Sequence, residues 1–379
     1  MPAATRIGLN LLYLVPGQTG GTETYARQLI PALHELRPDW ELVAFIGRGG
    51  ISAEDVTAMG ARPVPLKMPS TGRLLRVLGE QTLLPLAVRR EKIDLLHNFG
   101  MTAPFFCSAP QVTSTHDVIY ALHPEAHTFA MRTGQSVLVP MGARRAERVL
   151  TLSEASAKEV ARVTKVDRSK IDVVHIAARK SGTPAPEAEM RSRLGLGDRP
   201  YVLAPSARRG HKNLGRLLEA FAQLKHEPAV DLVLPGYASG AEDALTDQIK
   251  ALGLTDRVTL LGWIDDADMD ALFAYAELVA FPSLAEGFGL PVLEGMDHGT
   301  PVATSNVSSM PEVGGDAAVY FDPYDVDDIA ATIDRVLDDP ALRARLSAAG
   351  PPRAAEFSWE RAAEQTVAAY GSVLQARSA

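Results

Sequence analysis

A chain of 379 residues is too long for one ordinary core, and at roughly 100–200 residues per domain it implies two or three. Its hydrophobic content of 46% and charged content of 22% predict a soluble globular protein, with no apolar run near the roughly 18 residues of a membrane span. The net charge of −8 argues against general nucleic-acid binding, but it is uneven: residues 1–180 carry 22 Lys+Arg against 16 Asp+Glu, the remainder 16 against 30.

In chain order, MPAATRIGLNLLYLVPG enters a strand-like run with no charged n-region or small-residue cleavage site. Cys107 is alone, which predicts neither a disulfide framework nor a thiolate cluster; a cytoplasmic setting is expected. Strands are predicted at RIGLNLLY (6–13), ELVAFIG (41–47), DLLHNF (94–99), QVTSTHD (111–117), RVLTLS (148–153) and IDVVHI (171–176). Between them, RLLRVLGEQTLLPLAVRREK (73–92) mixes arginines with a leucine stripe. Core packing accounts for most of that stripe, and the same composition suits a membrane-facing or lipid-acceptor surface.

RKSGTPAPEAE (179–189), rich in Gly, Pro and charge, reads as a linker. A second set of strands follows at YVLAPS (201–206), DLVLPG (231–236), RVTLLGW (257–263), LVAFPS (278–283), PVATS (301–305) and AAVYFDP (317–323). GRLLEAFAQL (215–224) has helical spacing, with Leu217, Leu218, Phe221 and Leu224 on one stripe. FSWERAAEQTVAAYGSVLQ (357–375) offers Ser358 as an N-cap and puts Val367, Tyr370 and Leu374 on one face. Near-continuous apolar strands alternating with helices mean parallel sheets covered on both faces, with ligands at the carboxyl ends of the strands. The predicted bounds are 1–178 for the first domain, 179–198 for the linker, 199–355 for the second domain and 356–379 for a C-terminal helix returning to the first.

SLAEGFGLPVLEGM (283–296) sets Glu286 in a strand-to-helix loop and Glu294 about one turn into the helix that Pro291 opens and Gly299 follows. Gly287 and Gly289 let the backbone approach a ligand, and the helix start is a ready anion site. Carboxylates accept hydrogen bonds in pairs, as vicinal sugar hydroxyls require, so a nucleotide-sugar suits the stretch. Spacing alone equally allows a solvated Glu286 and a Glu294 that only favours the helix dipole.

PSLAEGFGLPVLEGM resembles the E-x7-E signature of the retaining GT-B glycosyltransferases called family 4. The likeness extends over nearly the whole chain, through the glycine pair of PGQTGGTETYARQL, STHDVIY, HKNLGRLLEAF, RVTLLGWIDDADMDALFAYAE, GTPVATSNVSSMPEVGGDAAVYFDP and FSWE. It implies an α/β architecture, GT-B, of two Rossmann-like doubly wound domains facing across a cleft, the first for the acceptor and the second for the donor. Position by position, Glu286 resembles the glutamate that holds the donor sugar beside the reacting carbon, and Glu294 the one that binds the ribose hydroxyls. Phe288, Gly289 and Leu290 would offer backbone N–H groups to sugar and phosphate, and Lys212 would neutralise the diphosphate. Gly20 and Gly21 match the loop that closes over the phosphates, His116 the histidine beside the donor sugar, and the base would lie near Trp263 and Ile264. The family's phosphate arginine falls in APSARRGHK, where Ser206 replaces the common glycine; Arg208 is preferred to Arg209. HIAARK stands where the family often carries NG, which leaves the contacts there open.

The resemblance thus implies retaining transfer of mannose, glucose or a related hexose from a nucleoside-diphosphate sugar to a hydroxyl of a saccharide, lipid-linked or small-molecule acceptor. The setting would be glycan, glycolipid or glycoconjugate synthesis, with no metal or other cofactor and no nucleic acid, and with peripheral contact to the inner face of a membrane allowed. A nucleotide-sugar epimerase on this fold and a catalytically silent nucleotide-sugar-binding subunit are the alternatives. Glu286, Glu294, His116 and Lys212 together speak against silence. A Rossmann oxidoreductase is excluded by the lack of G-x-G-x-x-G after the first strand. Of the remaining clusters, DDADMD (265–270) reads as an acidic, N-capped helix start and not a metal site. His123 and His127 read as a polar loop, Cys107 as a small buried hydrophobe, and Ser206 lacks an adjacent base.

Overall fold

Strands apolar on both faces need cover on both sides, and the alternating helices supply it. The computed structural model describes residues 4–126, 128–236 and 242–378, and the chain divides into two units: Met1–Ile176 with Ser358–Ala379, and Ala177–Phe357. Among the described residues the first unit holds β1 (Arg6–Asn10), β2 (Glu41–Arg48), β3 (Arg62–Pro69), β4 (Leu95–Asn98), β5 (Gln111–Ser114), β6 (Arg148–Thr151) and β7 (Ile171–Val173). They form one parallel sheet in the order β3-β2-β1-β4-β5-β6-β7. The second unit holds β8 (Tyr201–Leu203), β9 (Asp231–Pro235), β10 (Val258–Leu261), β11 (Leu278–Phe281), β12 (Val302–Ser305) and β13 (Val319–Phe321), parallel in the order β10-β9-β8-β11-β12-β13. Strand order reverses between β1 and β4 in one sheet and between β8 and β11 in the other. Those are the switch points where doubly wound sheets open a ligand crevice at the carboxyl edge.

β3 is the strand the sequence pattern misses. Pro63 and Pro65 argue against a strand, but β3 lies at the sheet edge, where a missing N–H costs no ladder bond. The amphipathic stripe of the Leu214–Ala222 helix is as expected: Leu217, Leu218 and Phe221 are fully buried in the second unit's core, and Leu224 packs against it.

The Trp359–Ser378 helix begins at Ser358, whose hydroxyl accepts the Arg361 N–H at 3.2 Å. It packs against the Gly21–Leu36 helix and strands β4 and β6. Its buried side differs from the expected stripe: Ala362, Ala363, Thr366, Tyr370 and Val373 face inward, while Val367 and Leu374 are half-covered. Small residues let the helix axis come close to its neighbours, and the fully buried Ala362 and Ala363 are residues that a search for large apolar side chains passes over. Residues 179–198 carry a helix of their own, Glu187–Leu194, and lie against the Asp266–Ala274 helix. Arg179 and the Gly182 N–H bind Asp270, and Arg193 binds Asp268.

Candidate active site

The second unit's switch point is built from the loops after β8 and β11, and they are laced together. The Leu284 N–H donates to His211 O at 2.8 Å, and the Ser283 hydroxyl lies 3.2 Å from the same oxygen. Asn213, at φ 58°, sends its side-chain amide to Pro282 O at 3.2 Å and to Pro323 O at 2.7 Å. This framework sets Lys212 Nζ 2.5 Å from Glu286 Oε1, which also accepts the Ser283 hydroxyl at 2.6 Å. The two charged side chains keep only 16% and 12% of their exposure, so the pair is well screened from water, and Lys212 Nζ also stands 5.3 Å from the centre of the Phe281 ring. Ser308 closes the loop from the other side, accepting the Glu286 N–H at 3.1 Å and donating to Glu286 O at 3.0 Å.

Directly after Glu286 the chain turns into the Leu290–Asp297 helix. Gly289 makes the turn at φ 109°, a region that disfavours side chains, and Pro291 sits in the first turn. The helix start, with its partial positive charge, therefore lies next to the Lys212–Glu286 pair. The Phe288 ring is buried against Phe357, so what residue 288 can present is its backbone. Glu294 is half-buried one turn further on. Burial raises its carboxyl to about 7, with Asp270, Asp266 and Asp297 adding to the rise and Arg179 opposing it. Arg208 is buried and sends Nη2 to Leu261 O at 2.9 Å, at the end of β10, whereas Arg209 is exposed. Trp263 stands 72% exposed just beyond β10, with Ile264 half-buried beside it. Gly236 follows β9 so close to the Ser206 carbonyl that a Cβ there would meet its oxygen at 1.9 Å.

In the first unit, Gly20 caps the Gly21–Leu36 helix at φ 54°, and Gly21 opens that helix on the β1 side of the switch point. His116 follows β5 at the carboxyl edge. It is 4% exposed, its Nε2 has no hydrogen-bond partner within the described chain, and burial lowers its pKa to about 4, so the ring is neutral. The Tyr25 ring meets it edge-on at 4.5 Å. From Tyr25 a buried chain of polar groups runs inward. Tyr25 OH lies 3.0 Å from Ser114 Oγ, which lies 2.7 Å from His97 Nε2, and His97 Nδ1 lies 2.6 Å from Tyr370 OH on the C-terminal helix. Burial drops His97 to about 3, so it too is neutral, a relay of fixed dipoles and not a charge.

Sequence reasoning missed Ser283, Asn213, Ser308, Tyr25, His97 and Ser114. A serine three residues before Glu286 and an asparagine directly after Lys212 are local signals that were there to be used. The His97–Ser114–Tyr25 chain joins three distant segments and has no local signal. In DDADMD, Asp265 caps the helix by accepting the Asp268 N–H at 2.8 Å, and the buried Asp268 and Asp270 serve the arginines of residues 179–198. Of the histidine pair, His123 binds Glu125 at 3.0 Å and His127 lies outside the described residues. Cys107 packs, half-buried, against the first unit's core. No helix among the described residues is long and apolar enough to cross a membrane.

Both halves of the chain match known families. Residues 19–178 match the family described as Glycosyltransferase Family 4, and residues 186–353 the one described as Glycosyl transferases group 1. The O-antigen chain mannosyltransferase B of Escherichia coli is 31% identical over 367 residues, covering 92% of this chain and 95% of that protein. The MMP alpha-(1->4)-mannosyltransferase of Mycolicibacterium hassiacum is 35% identical over 238 residues, which are 61% of this chain and 56% of that one. Among solved structures, the sucrose-phosphate synthase of Thermosynechococcus elongatus superposes with a TM-score of 0.78 at 22% identity, covering 98% of this chain and 100% of its own. HepE of Anabaena, solved with UDP and glucose, does so at 0.75 and 23%, covering 97% and 100%. These last two likenesses establish the GT-B fold, two Rossmann-like units in one chain.

Proposed function

The chain belongs to the group 1 glycosyltransferases, and from that premise we propose that it moves a hexose, mannose first among candidates, from a nucleoside-diphosphate sugar to a hydroxyl of a saccharide acceptor with retention at the anomeric carbon. Mannose is favoured because relatives such as the O-antigen chain enzyme are named mannosyltransferases. The observation that carries the reading is the Lys212–Glu286 pair beside a helix start at the second unit's switch point. Each group satisfies the other. A bound donor would divide them, its diphosphate taking Lys212 and the backbone amides of residues 288–290, its sugar hydroxyls taking Glu286. As the glycosidic bond breaks, charge grows on the diphosphate, and a fixed cation and helix terminus stabilise it without reorganising. A same-face substitution with an oxocarbenium-like state is the mechanism proposed, its rate supplied by positioning and leaving-group stabilisation. Incubation with a panel of nucleotide sugars, with and without saccharide acceptors, tests the reading. Product with the donor's anomeric configuration supports it; an isomerised nucleotide sugar, or binding without turnover, rejects it.

Two expectations follow for this site. With Lys212 and the helix start facing the diphosphate, transfer is proposed to need no divalent ion. Activity should persist in excess EDTA, and a loss restored by Mg²⁺ or Mn²⁺ would count against that. Glu286 and Glu294 should also fail differently. Glu286→Gln weakens the sugar subsite and should mainly lower turnover, whereas Glu294→Gln acts at the ribose and should mainly weaken nucleoside-diphosphate binding. Glu294 adds a signature. Raised to about 7, it must ionise to accept two ribose hydroxyls, so binding near pH 6.5 should release protons and tighten as pH rises through 7. Calorimetry in buffers of differing ionisation heat reads both effects. Equal weakening by the two variants would reject the assigned roles, and proton release that is the same in wild type and Glu294→Gln would reject the ribose assignment.

A further inference from the structure

HIAARK (175–180), which stands where the family often carries NG, brings Arg179 onto the Asp266–Ala274 helix. Arg179 reaches both oxygens of Asp270, Nη1 to Oδ2 at 3.3 Å and Nη2 to Oδ1, and Nη2 also donates to Asp266 O at 3.2 Å. The Gly182 N–H donates to Asp270 Oδ2 at 2.9 Å, and between these two residues the Ser181 hydroxyl donates to Asp297 Oδ2 at 2.6 Å. Residues 179–182 thus strap the Asp266–Ala274 helix to the Leu290–Asp297 helix, which carries Glu294.

The Asp270 side chain is 1% exposed and that of Arg179 18%, so the pair lies mostly out of water. A buried ion pair is a weak means of stabilising a fold, because desolvation cancels most of its attraction. What it supplies is charge at a fixed place, and that place is beside Glu294. His298 stands between the two, with Nδ1 2.8 Å from Glu294 O and Nε2 3.4 Å from Asp270 Oδ1. Burial lifts the Glu294 carboxyl to about 7. After burial the strongest influence is Arg179, which pulls it down against Asp270, Asp266 and Asp297.

The other neighbours of the Glu294 helix add little. β11 and β12 bring no titratable side chain, and the Met310–Gly314 helix brings Glu312. Arg343, Arg345 and Arg353 of the Pro340–Ala354 helix bind the carbonyls of Leu337, Asp316 and Val313, and Lys180 is exposed.

We propose that Arg179 is a positioning residue for nucleotide binding: held by Asp270, its guanidinium offsets the surrounding aspartates and lets Glu294 meet the ribose hydroxyls as a carboxylate. Without that cation three carboxylates act on a fourth, and the fourth keeps its proton. A protonated carboxyl has lost part of the acceptor capacity that two vicinal hydroxyls require. The inference rests on the ribose reading of Glu294 and adds to it the group that sets its charge.

The affinity for GDP and for UDP, measured by calorimetry across pH, is the test. Removing a cation raises a neighbouring carboxyl's pKa and removing an anion lowers it, so the two halves of this ion pair should act in opposite directions. Arg179→Gln should move the pH at which binding tightens up by about one pH unit, which makes binding at pH 7 about fivefold weaker. Asp270→Asn should move it down, the double variant should fall between the singles, and Arg179→Lys, which keeps the charge, should stay closest to wild type. Titration of the diphosphate itself is common to all the variants and cancels in the comparison. A strap with a structural role alone would weaken binding in both singles and shift the two midpoints alike or not at all, and that result overturns the proposal. Should Arg179→Gln fail to fold because Asp270 is left uncompensated, the double variant against Asp270→Asn still isolates the guanidinium. Its midpoint should lie higher, and equal midpoints would again overturn the proposal. Wild-type protein that binds neither nucleotide, or a pH step that survives Glu294→Gln, would defeat the ribose reading and this inference with it. A step that Glu294→Gln abolishes and neither Arg179→Gln nor Asp270→Asn moves would defeat this inference alone.

Discussion

Lys212→Ala is expected to lower transfer by about 10²–10³, equivalent to about 2.7–4 kcal/mol of transition-state stabilisation, while the protein stays folded. A lysine ammonium is ordinarily a solvated surface group, but this one is held against Glu286 and the Phe281 ring with little exposure. In such a setting water screens poorly, and a cation aimed at a developing negative charge has its largest effect. Lys212→Arg should recover only part, because the forked guanidinium does not fit where one Nζ meets one carboxylate oxygen.

The pair also makes the result testable in a second way. Removing Lys212 leaves the Glu286 carboxylate with the Ser283 hydroxyl and no cation, so part of any stability loss belongs to the abandoned glutamate. In the double variant Lys212→Ala, Glu286→Gln that penalty disappears. The two substitutions should therefore couple by about 0.5–3 kcal/mol in unfolding experiments, the double variant being more stable than the sum of the singles implies. A folded Lys212→Ala enzyme that transfers within a few-fold of wild type would sink the leaving-group role. The candidate would then pass to Arg208, although its Nη2 is already committed to Leu261 O.

What the sequence disclosed and what it hid follow one physical division. Interior strands such as β2, apolar from Leu42 to Ile46, and β11 have both faces covered, and they read clearly. β3 hid behind two prolines that only an edge position tolerates, and edge position is a property of the finished sheet. At the site, the Lys212 and Glu286 segments each carry a local pattern, and the topology that joins them, β8 beside β11, is implied by alternating strands and helices. Their direct ion pair was not legible, because spacing along the chain does not specify which side chain satisfies which. Nor was the fate of the acidic run: Asp265 reads as a cap from its position, but Asp268 and Asp270 acquire their arginines from residues 179–198 only when that segment folds back. The outward leucines of the Arg73–Arg90 helix show the converse case. Their stripe was visible, but only burial tells which leucines face the core and which face out.

His116→Ala is expected to leave nucleoside-diphosphate binding unchanged and to lower transfer by about 10²–10³. Binding should be spared because the groups proposed to hold the nucleotide are Lys212, Glu294, the backbone of residues 288–290 and the Gly20–Gly21 loop, and His116 is not among them. The bland reading is a core histidine with its polar atoms satisfied. Against it stands one observation: Nε2 is buried and has no partner within the described chain, and an unmet buried polar atom costs about 1–3 kcal/mol. His97 shows the satisfied alternative in the same unit, with Tyr370 and Ser114 on its two nitrogens. The pH dependence separates a positioned neutral imidazole from an acid catalyst. Burial holds His116 at about 4, below its unfolded value of 6.5, so its neutral form is fully present above that value and is lost as pH falls through 4. Transfer should therefore show no histidine-like step between pH 6 and 8, and any step near 7 should vanish in Glu294→Gln instead. His116→Gln, which keeps one polar group in reach, should recover part of the rate lost in His116→Ala. Wild-type turnover in the alanine variant, or a step near pH 6.5 that only His116 substitutions remove, would each defeat the assignment.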